Sequence, residues 1–502
     1  MDSVQTKHGR SAARAGKSTD ARLIGAELYL LPVTTRMPLQ FGSETLRTVT
    51  CARAQVTLQG RDGQTVEGWG EAPLNVEWAW PSDEAHVSRS ERMIQFCVRL
   101  TRAFAEFNCW GHALEIGVQF QCDVLSRLLV EFNLERPDAD KLPYLAALVC
   151  CSPLDIALHD AYGRLAHAPI YDTYDRRYLN VDLADLFSVN GSADYDFRGR
   201  YPDEFLNADP PRRLMAWHTV GGLDPLTAGD LTGNEPDDGY PVLLRDWIVR
   251  DGLRCLKIKL MGVDADWDFD RLIRVGQIAK ANGVRWITAD FNCSVREPRY
   301  VNLVLDRLAA VDPDLNDMLV YVEQPFPYDL DKHPLDVRSV AARKPLFMDE
   351  SAHNWRYVEI GRSLGWTGVA LKTCKTQTGA ILSLCWAKAH GMQVMVQDLT
   401  NPMLAQIPHV LLAAHARTTM GVETNAMQFY PRASDIEAEV HPGLYQRRNG
   451  EIDLSTIQGS GFGYRLDEMG RALPAPAVCA GKTAGPHMRI DAPANGATRH
   501  RL

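Results

Sequence analysis

RCLKIKL at 254–260, DWDFDRLIRVGQIAKANG at 266–283 and VRWITADF at 284–291 follow one another as strand, helix and strand. In the middle run Phe269, Leu272, Ile273 and Gly276 recur at helical spacing, and Asn282-Gly283 closes the helix. The same rhythm extends outward. Downstream come MLVYVEQP (318–325), KPLFMDES (344–351), TGVALKT (367–373), MQVMVQD (392–398) and TMGVET (419–424); upstream comes LMAWHTV (214–220). Eight strand-helix alternations in about 210 residues predict a parallel (β/α) barrel of the α/β class, with an open sheet as the alternative. No GxGxxG or P-loop follows any strand, which argues against nucleotide binding.

The flanks read differently. TVTCARAQVTLQG, the turn Arg61-Asp62-Gly63 and GWGEAPL form an antiparallel β pattern, and residues 84–166 are helical. In SPLDIALHDAYGRLA, Ser152 and Pro153 look like a helix start. Residues 171–212 and 222–240, rich in Asp, Gly, Pro and Tyr, read as surface insertions. The expected organisation is a tail at 1–21, an α+β capping domain at 22–212, the barrel at 213–430, a segment returning to the cap at 431–474, and a tail at 475–502.

The 502 residues carry 54 Lys+Arg against 63 Asp+Glu, a net charge of −9. An acidic balance gives no footprint for nucleic acid and would repel an acidic membrane surface. No run of about 18 apolar residues predicts a transmembrane helix. The polar N-terminus lacks the apolar stretch of a secretory signal. The eleven cysteines are scattered without a C-x-x-C pair, so reduced thiols in a cytoplasmic protein are expected.

Barrel chemistry sits at the C-terminal strand ends. Period-2 alternation puts Lys257 and Lys259 on one face and Leu256, Ile258 and Leu260 on the other. The apolar set suits the helix-covered outside, which leaves both ammonium groups in the barrel mouth. The next three strand ends each present a carboxylate: Asp290, Glu323, and Asp349 or Glu350. Adjacent strands lie about 5 Å apart, so three such acids would repel one another. A hard divalent cation resolves this, and an all-oxygen set favours Mg²⁺, with Mn²⁺ as the alternative. Lys372 ends the sixth strand, opposite the second, so Lys259 and Lys372 would flank a bound substrate. This arrangement suits abstraction of a proton alpha to a carboxylate, with the cation stabilising the enediolate. A neighbouring ammonium and a cation would lower a lysine's pKa toward a usable base.

LKIKL (256–260), ADFN (289–292), VEQP (322–325), MDES (348–351) and ALKT (370–373), in this order, resemble the enolase superfamily, in particular the mandelate racemase/muconate lactonizing enzyme family. GWGEAPL (68–74) and ALHDAYGRLAHAPIY (157–171) resemble its capping domain, and SGFGYRLDE (460–468) its C-terminal return. The resemblance implies a modified TIM-type (β/α)7β barrel with an α+β cap. It implies Asp290, Glu323 and Asp349 as ligands of Mg²⁺, Lys259 and Lys372 as acid/base pair, and Lys257 on the substrate carboxylate. Asn292, Asp398 and Glu423 are further expected substrate contacts. The family often shows a Gly-Gly pair after the sixth-strand lysine; here the run is Lys375-Thr376-Gln377-Thr378-Gly379. The seventh strand ends in Gln397-Asp398 and not in a histidine, which argues against a His/Asp dyad.

Several residues have plainer readings. Lys375 is expected at a helix start and His218 as a satisfied buried histidine. Trp78 and Trp80 divide evenly between domain packing and the site. The capping loops at Met37–Ser43 and Glu71–Trp80 are expected to close the mouth, and their aromatic content suggests a partly apolar substrate. The expected activity is a Mg²⁺-dependent racemase, epimerase or cycloisomerase of a small carboxylic acid. A sugar-acid-type dehydratase and an inert metal-binding barrel are the alternatives. A metal-dependent hydrolase would need an H-x-H first strand, which LMAWHTVGG lacks. A closed homo-oligomer is the expected assembly.

Overall fold

The computed structural model describes residues 16–41, 44–134, 136–137, 141–187 and 195–482. Three long strands, β1 (Ala21–Phe41), β2 (Glu44–Gly60) and β3 (Thr65–Pro73), form an antiparallel meander. The stretch Met37–Phe41, expected as loop, is the end of β1, where Phe41 pairs with Glu44. Helices His86–Glu106, Ala113–Phe120, Ser126–Leu134 and Tyr144–Leu165 follow.

The last of these packs directly on the sheet. A Cβ on Gly68 would lie 2.1 Å from the Ala161 nitrogen, and one on Gly70 would lie 2.2 Å from the Pro153 oxygen. Only glycine permits this approach, which explains GWG in β3. The helix begins at Tyr144, not at Ser152, and Pro153 lies inside it. Pro153 removes one helical hydrogen bond, but the helix is buried on almost every side, so packing outweighs that loss. By length and composition it could cross a membrane, yet 94% of that window is buried inside the protein.

The barrel strands are β4 (Arg213–Val220), β5 (Cys255–Lys259), β6 (Trp286–Asp290), β7 (Leu319–Glu323), β8 (Leu346–Met348), β9 (Gly368–Leu371), β10 (Gln393–Val396) and β11 (Val422–Glu423). They run parallel in the order β10-β9-β8-β7-β6-β5-β4-β11, a curled sheet with a helix in each of its seven connections. Thr419 N–H donates to the Val394 carbonyl at 2.7 Å, linking the two ends. The fold is therefore the expected (β/α)7β barrel with a separate α+β cap.

Two further strands correct the expected boundaries. β12 (Glu451–Asp453) pairs antiparallel with β4, so the segment expected to return to the cap also extends the barrel sheet. β13 (Val478–Gly481), within the expected tail, pairs with β1 from Leu28↔Val478 to Gly25↔Gly481. Its small residues carry little strand propensity; the open edge of β1 holds them.

Inside the barrel, Trp217, Cys255, Tyr321, Phe347 and Met395 form a closed apolar layer. Two residues further along the same strands lie Thr219, Lys257, Glu323, Asp349 and Gln397. With side chains alternating at period 2, a layer of one chemistry is followed by a layer of the other. The apolar plug thus forms the floor of the polar site.

Candidate active site

The chamber above this floor is lined by both halves of the molecule. Thr219, Lys257, Lys259, Asp349, Lys372, Asp398, Glu423 and Asn425 come from the barrel, and Leu39, Phe41, Asn75 and Trp78 from the cap. Lys259 Nζ lies 5.7 Å from the Phe41 ring centre, and Lys372 Nζ lies 5.3 Å from that of Trp78. Each proposed acid/base lysine therefore has an aromatic ring of the cap over it. Trp80 is buried beside Arg92 and does not line the chamber.

Lys259 and Asp290 are direct partners across β5 and β6, as are Asp290 and Glu323 across β6 and β7. Lys259 Nζ lies 2.5 Å from Asp290 Oδ2. Lys257 Nζ bridges Glu323 (2.6 Å), Asp290 (3.0 Å) and Glu423 (3.0 Å). Burial opposes charging of Lys257, but Asp290, Glu323 and Glu423 overcome it and raise its pKa well above the ordinary range. Burial likewise disfavours ionised Asp290, yet Lys257 and Lys259 hold it below the usual carboxylate range. Glu323 is driven well upward by burial and then by Asp290.

On the opposite wall, Lys372 Nζ donates to the Asp398 carbonyl at 2.9 Å and lies 3.2 Å from Asp349 Oδ2. Burial would lower its pKa, but Asp349 outweighs that and raises it. Carboxylates thus outweigh both burial and the neighbouring ammonium groups at Lys257 and Lys372.

Asp349, not Glu350, faces the lysines. Glu350 accepts from Asn292 Nδ2 at 3.0 Å and is pushed up to about 7 by burial and by Asp349. Asn292 also donates its backbone N–H to Asp290 at 2.9 Å and does not line the chamber. Asp398 accepts from the Asn425 backbone at 2.7 Å and is raised to about 6 by burial and Glu423. Glu423 accepts from Thr219 Oγ1 at 3.0 Å. His218 is buried on the helix-facing side against Trp247, with no partner for Nδ1.

Sequence reasoning missed three supports. Lys375, assigned to a helix start, is buried in the turn after β9; it donates to the Asp349 carbonyl at 2.7 Å and lies 3.5 Å from Asp349 Oδ1. Gln324 accepts from Asp349 N–H and Ser351 Oγ–H at 2.7 and 2.8 Å, fixing the end of β8. Thr376 has φ 72°, rare for a β-branched residue. It is held by Ser152 Oγ, which accepts its N–H at 2.8 Å, and by Gln121 Nε2, 3.1 Å from its hydroxyl. These bonds tie the cap to the turn that carries Lys372 and Lys375.

As placed, no three Asp, Glu, His or Cys side chains among the described residues are gathered tightly enough to hold a metal ion. The donor chemistry does fit a hard cation. Three carboxylates end successive strands, Asp349 Oδ1 is buried without a hydrogen-bond partner, and an ammonium group serves as counter-charge between the other two.

Residues 241–470 match the family described as enolase C-terminal domain-like. The chain has the two-part fold of the enolase superfamily, in the form found in the mandelate racemase/muconate lactonizing enzyme family. It is similar to the dipeptide epimerase of Enterococcus faecalis, solved with Mg and L-Leu-L-Tyr, at 13% identity and a TM-score of 0.57, covering 88% of this chain and 99% of that one. It is similar to the L-talarate/galactarate dehydratase of Salmonella typhimurium at 14% identity and 0.56, covering 94% and 98%. It is similar to the muconate lactonizing enzyme of Pseudomonas fluorescens, solved with muconolactone, at 15% identity and 0.53, covering 88% and 96%. No curated protein matches the chain in sequence.

Proposed function

We propose that the protein is an enzyme that removes a proton alpha to the carboxylate of a small acid, most specifically a racemase, epimerase or cycloisomerase. The observation that carries this reading is the placement of Lys259 and Lys372 on opposite walls of one buried chamber, each beside a strand-end carboxylate. Asp290, Glu323 and Asp349 would hold a divalent cation, Mg²⁺ by their all-oxygen chemistry. Bound there, the ion supplies positive charge to offset the negative charge that grows on the substrate carboxylate.

The protein's own groups do the rest. Lys257 gives up its bridge between Asp290 and Glu323 and turns to the substrate carboxylate. A cation held by Asp290, Glu323 and Asp349 would leave less negative charge facing the two lysines. One lysine, as the neutral amine, takes the α-proton; the C–H electron pair moves toward the carboxyl carbon and the substrate becomes the enediolate. In racemisation the opposite ammonium returns a proton to the other face, and the two lysines exchange protonation states. In cycloisomerisation or syn elimination, one lysine transfers the proton and the other stabilises charge. The plug layer and the cap rings keep bulk water from the reacting carbon.

The test is α-proton exchange. Incubation of a panel of acids with the protein and Mg²⁺ in D₂O should place deuterium on the α-carbon, read by proton NMR. Chirality and product analysis then separate racemase, cycloisomerase and dehydratase. A blank across a broad panel would remove the reading and favour an inert scaffold.

A further inference from the structure

The walls of the chamber constrain the substrate further. The apolar side chains Leu39, Phe41, Trp78 and Leu399 bound the chamber where the substrate's α-substituent would lie, between the two lysines and the cap. Of the neutral polar groups on the wall, Thr219, Thr400 and Asn425 are already engaged, and Asn75 Oδ1 accepts the Trp78 backbone N–H at 3.0 Å. Thr219 Oγ1 donates to Glu423, Asn425 Nδ2 contacts Thr219, Asp398 and Glu423 at 2.9–3.2 Å, and Thr400 is engaged with Leu399 and Tyr430. The indole Nε1–H of Trp78 stands apart: it is buried and has no partner.

We infer that this site takes a small carboxylic acid whose α-substituent is apolar or aromatic and bears at most one hydrogen-bond acceptor, and that Trp78 Nε1–H meets that acceptor. The inference rests on the proton-abstraction reading and narrows it. A polyhydroxylated acid would bury several hydroxyls against rings and leucines with few free partners, a cost that such pockets turn into strong rejection. A dipeptide would bury a peptide N–H and a peptide carbonyl against the same apolar side chains.

The protein with Mg²⁺ is incubated in D₂O with three panels: acids with a 2-aryl or 2-alkyl group, hexaric acids, and dipeptides. The expected result is α-exchange in the first panel at least tenfold faster than in the other two. Equal or faster exchange of a hexaric acid or a dipeptide overturns the inference while leaving proton abstraction in place. A blank in all three panels removes both.

A second arm uses Trp78→Phe, which keeps a ring and loses the N–H. Its KM should rise about tenfold more for 2-aryl acids that carry an acceptor than for those that carry none. An equal change for both kinds assigns Trp78 to packing alone and overturns its role as donor.

Discussion

Lys259 and Asp290 face each other across two parallel strands, with Nζ 2.5 Å from Oδ2. An ammonium held by a buried carboxylate cannot accept a proton. The account therefore requires Asp290 to be drawn to a cation before Lys259 can act as a base. Removal of divalent ions with a chelator should abolish α-exchange, and Mg²⁺ should restore it. Mg²⁺ should also raise the melting temperature of the wild-type protein by binding the folded state. Asp290→Asn should lose most of that rise. A chelated protein that exchanges at the full rate would contradict the requirement.

Lys259→Ala and Lys372→Ala should each lower turnover by about 10³-fold, in the range for loss of a positioned acid or base. Circular dichroism should show both variants folded, since the plug layer and the outer core do not depend on either ammonium group. Retained turnover in Lys259→Ala would end the catalytic assignment.

Ser152 accepts the buried Thr376 N–H at 2.8 Å, and Thr376 holds an unfavourable φ of 72°. Ser152→Ala leaves that N–H unsatisfied, at a cost of about 1–3 kcal/mol. It also frees the turn that positions Lys372 and Lys375. The variant should melt several degrees lower and lose turnover more than substrate affinity. A lower melting temperature with unchanged kcat would make the contact purely structural.

His409 is buried, with Nε2 2.7 Å from the Glu423 carbonyl. Burial lowers its pKa from 6.5 to about 4. The unfolded chain takes up this proton below about pH 6.5, while the folded chain stays neutral to about pH 4. The unfolded state therefore binds more protons in that window, and His409 costs stability as pH falls, by about 1.4 kcal/mol per pH unit. Urea denaturation between pH 7 and 4.5 should show a shallower loss for His409→Gln than for the wild type. Parallel curves would contradict the buried neutral ring.

The barrel was legible because its signal repeats. LKIKL, ADFN, VEQP, MDES and ALKT each end a strand, and alternation alone placed Lys257 and Lys259 together inside the mouth. What escaped has physical reasons. Lys375 belongs to a 3₁₀ turn, where neither strand alternation nor helical periodicity predicts direction. The helix start at Tyr144 was hidden because Pro153 is a strong local breaker, overridden here by burial against Gly68 and Gly70. β13 was hidden by its alanine and glycine content, since its partner is the distant edge of β1.

The most direct test of the central claim is a crystal structure of the Mn²⁺-loaded protein with anomalous scattering at the manganese edge. The account predicts one ion in the chamber, held by an oxygen from each of Asp290, Glu323 and Asp349, with Lys257 withdrawn from its bridge and Lys259 and Lys372 on either side. An ion bound elsewhere, or Lys257 still joining Asp290 to Glu323 at saturating Mn²⁺, would contradict it.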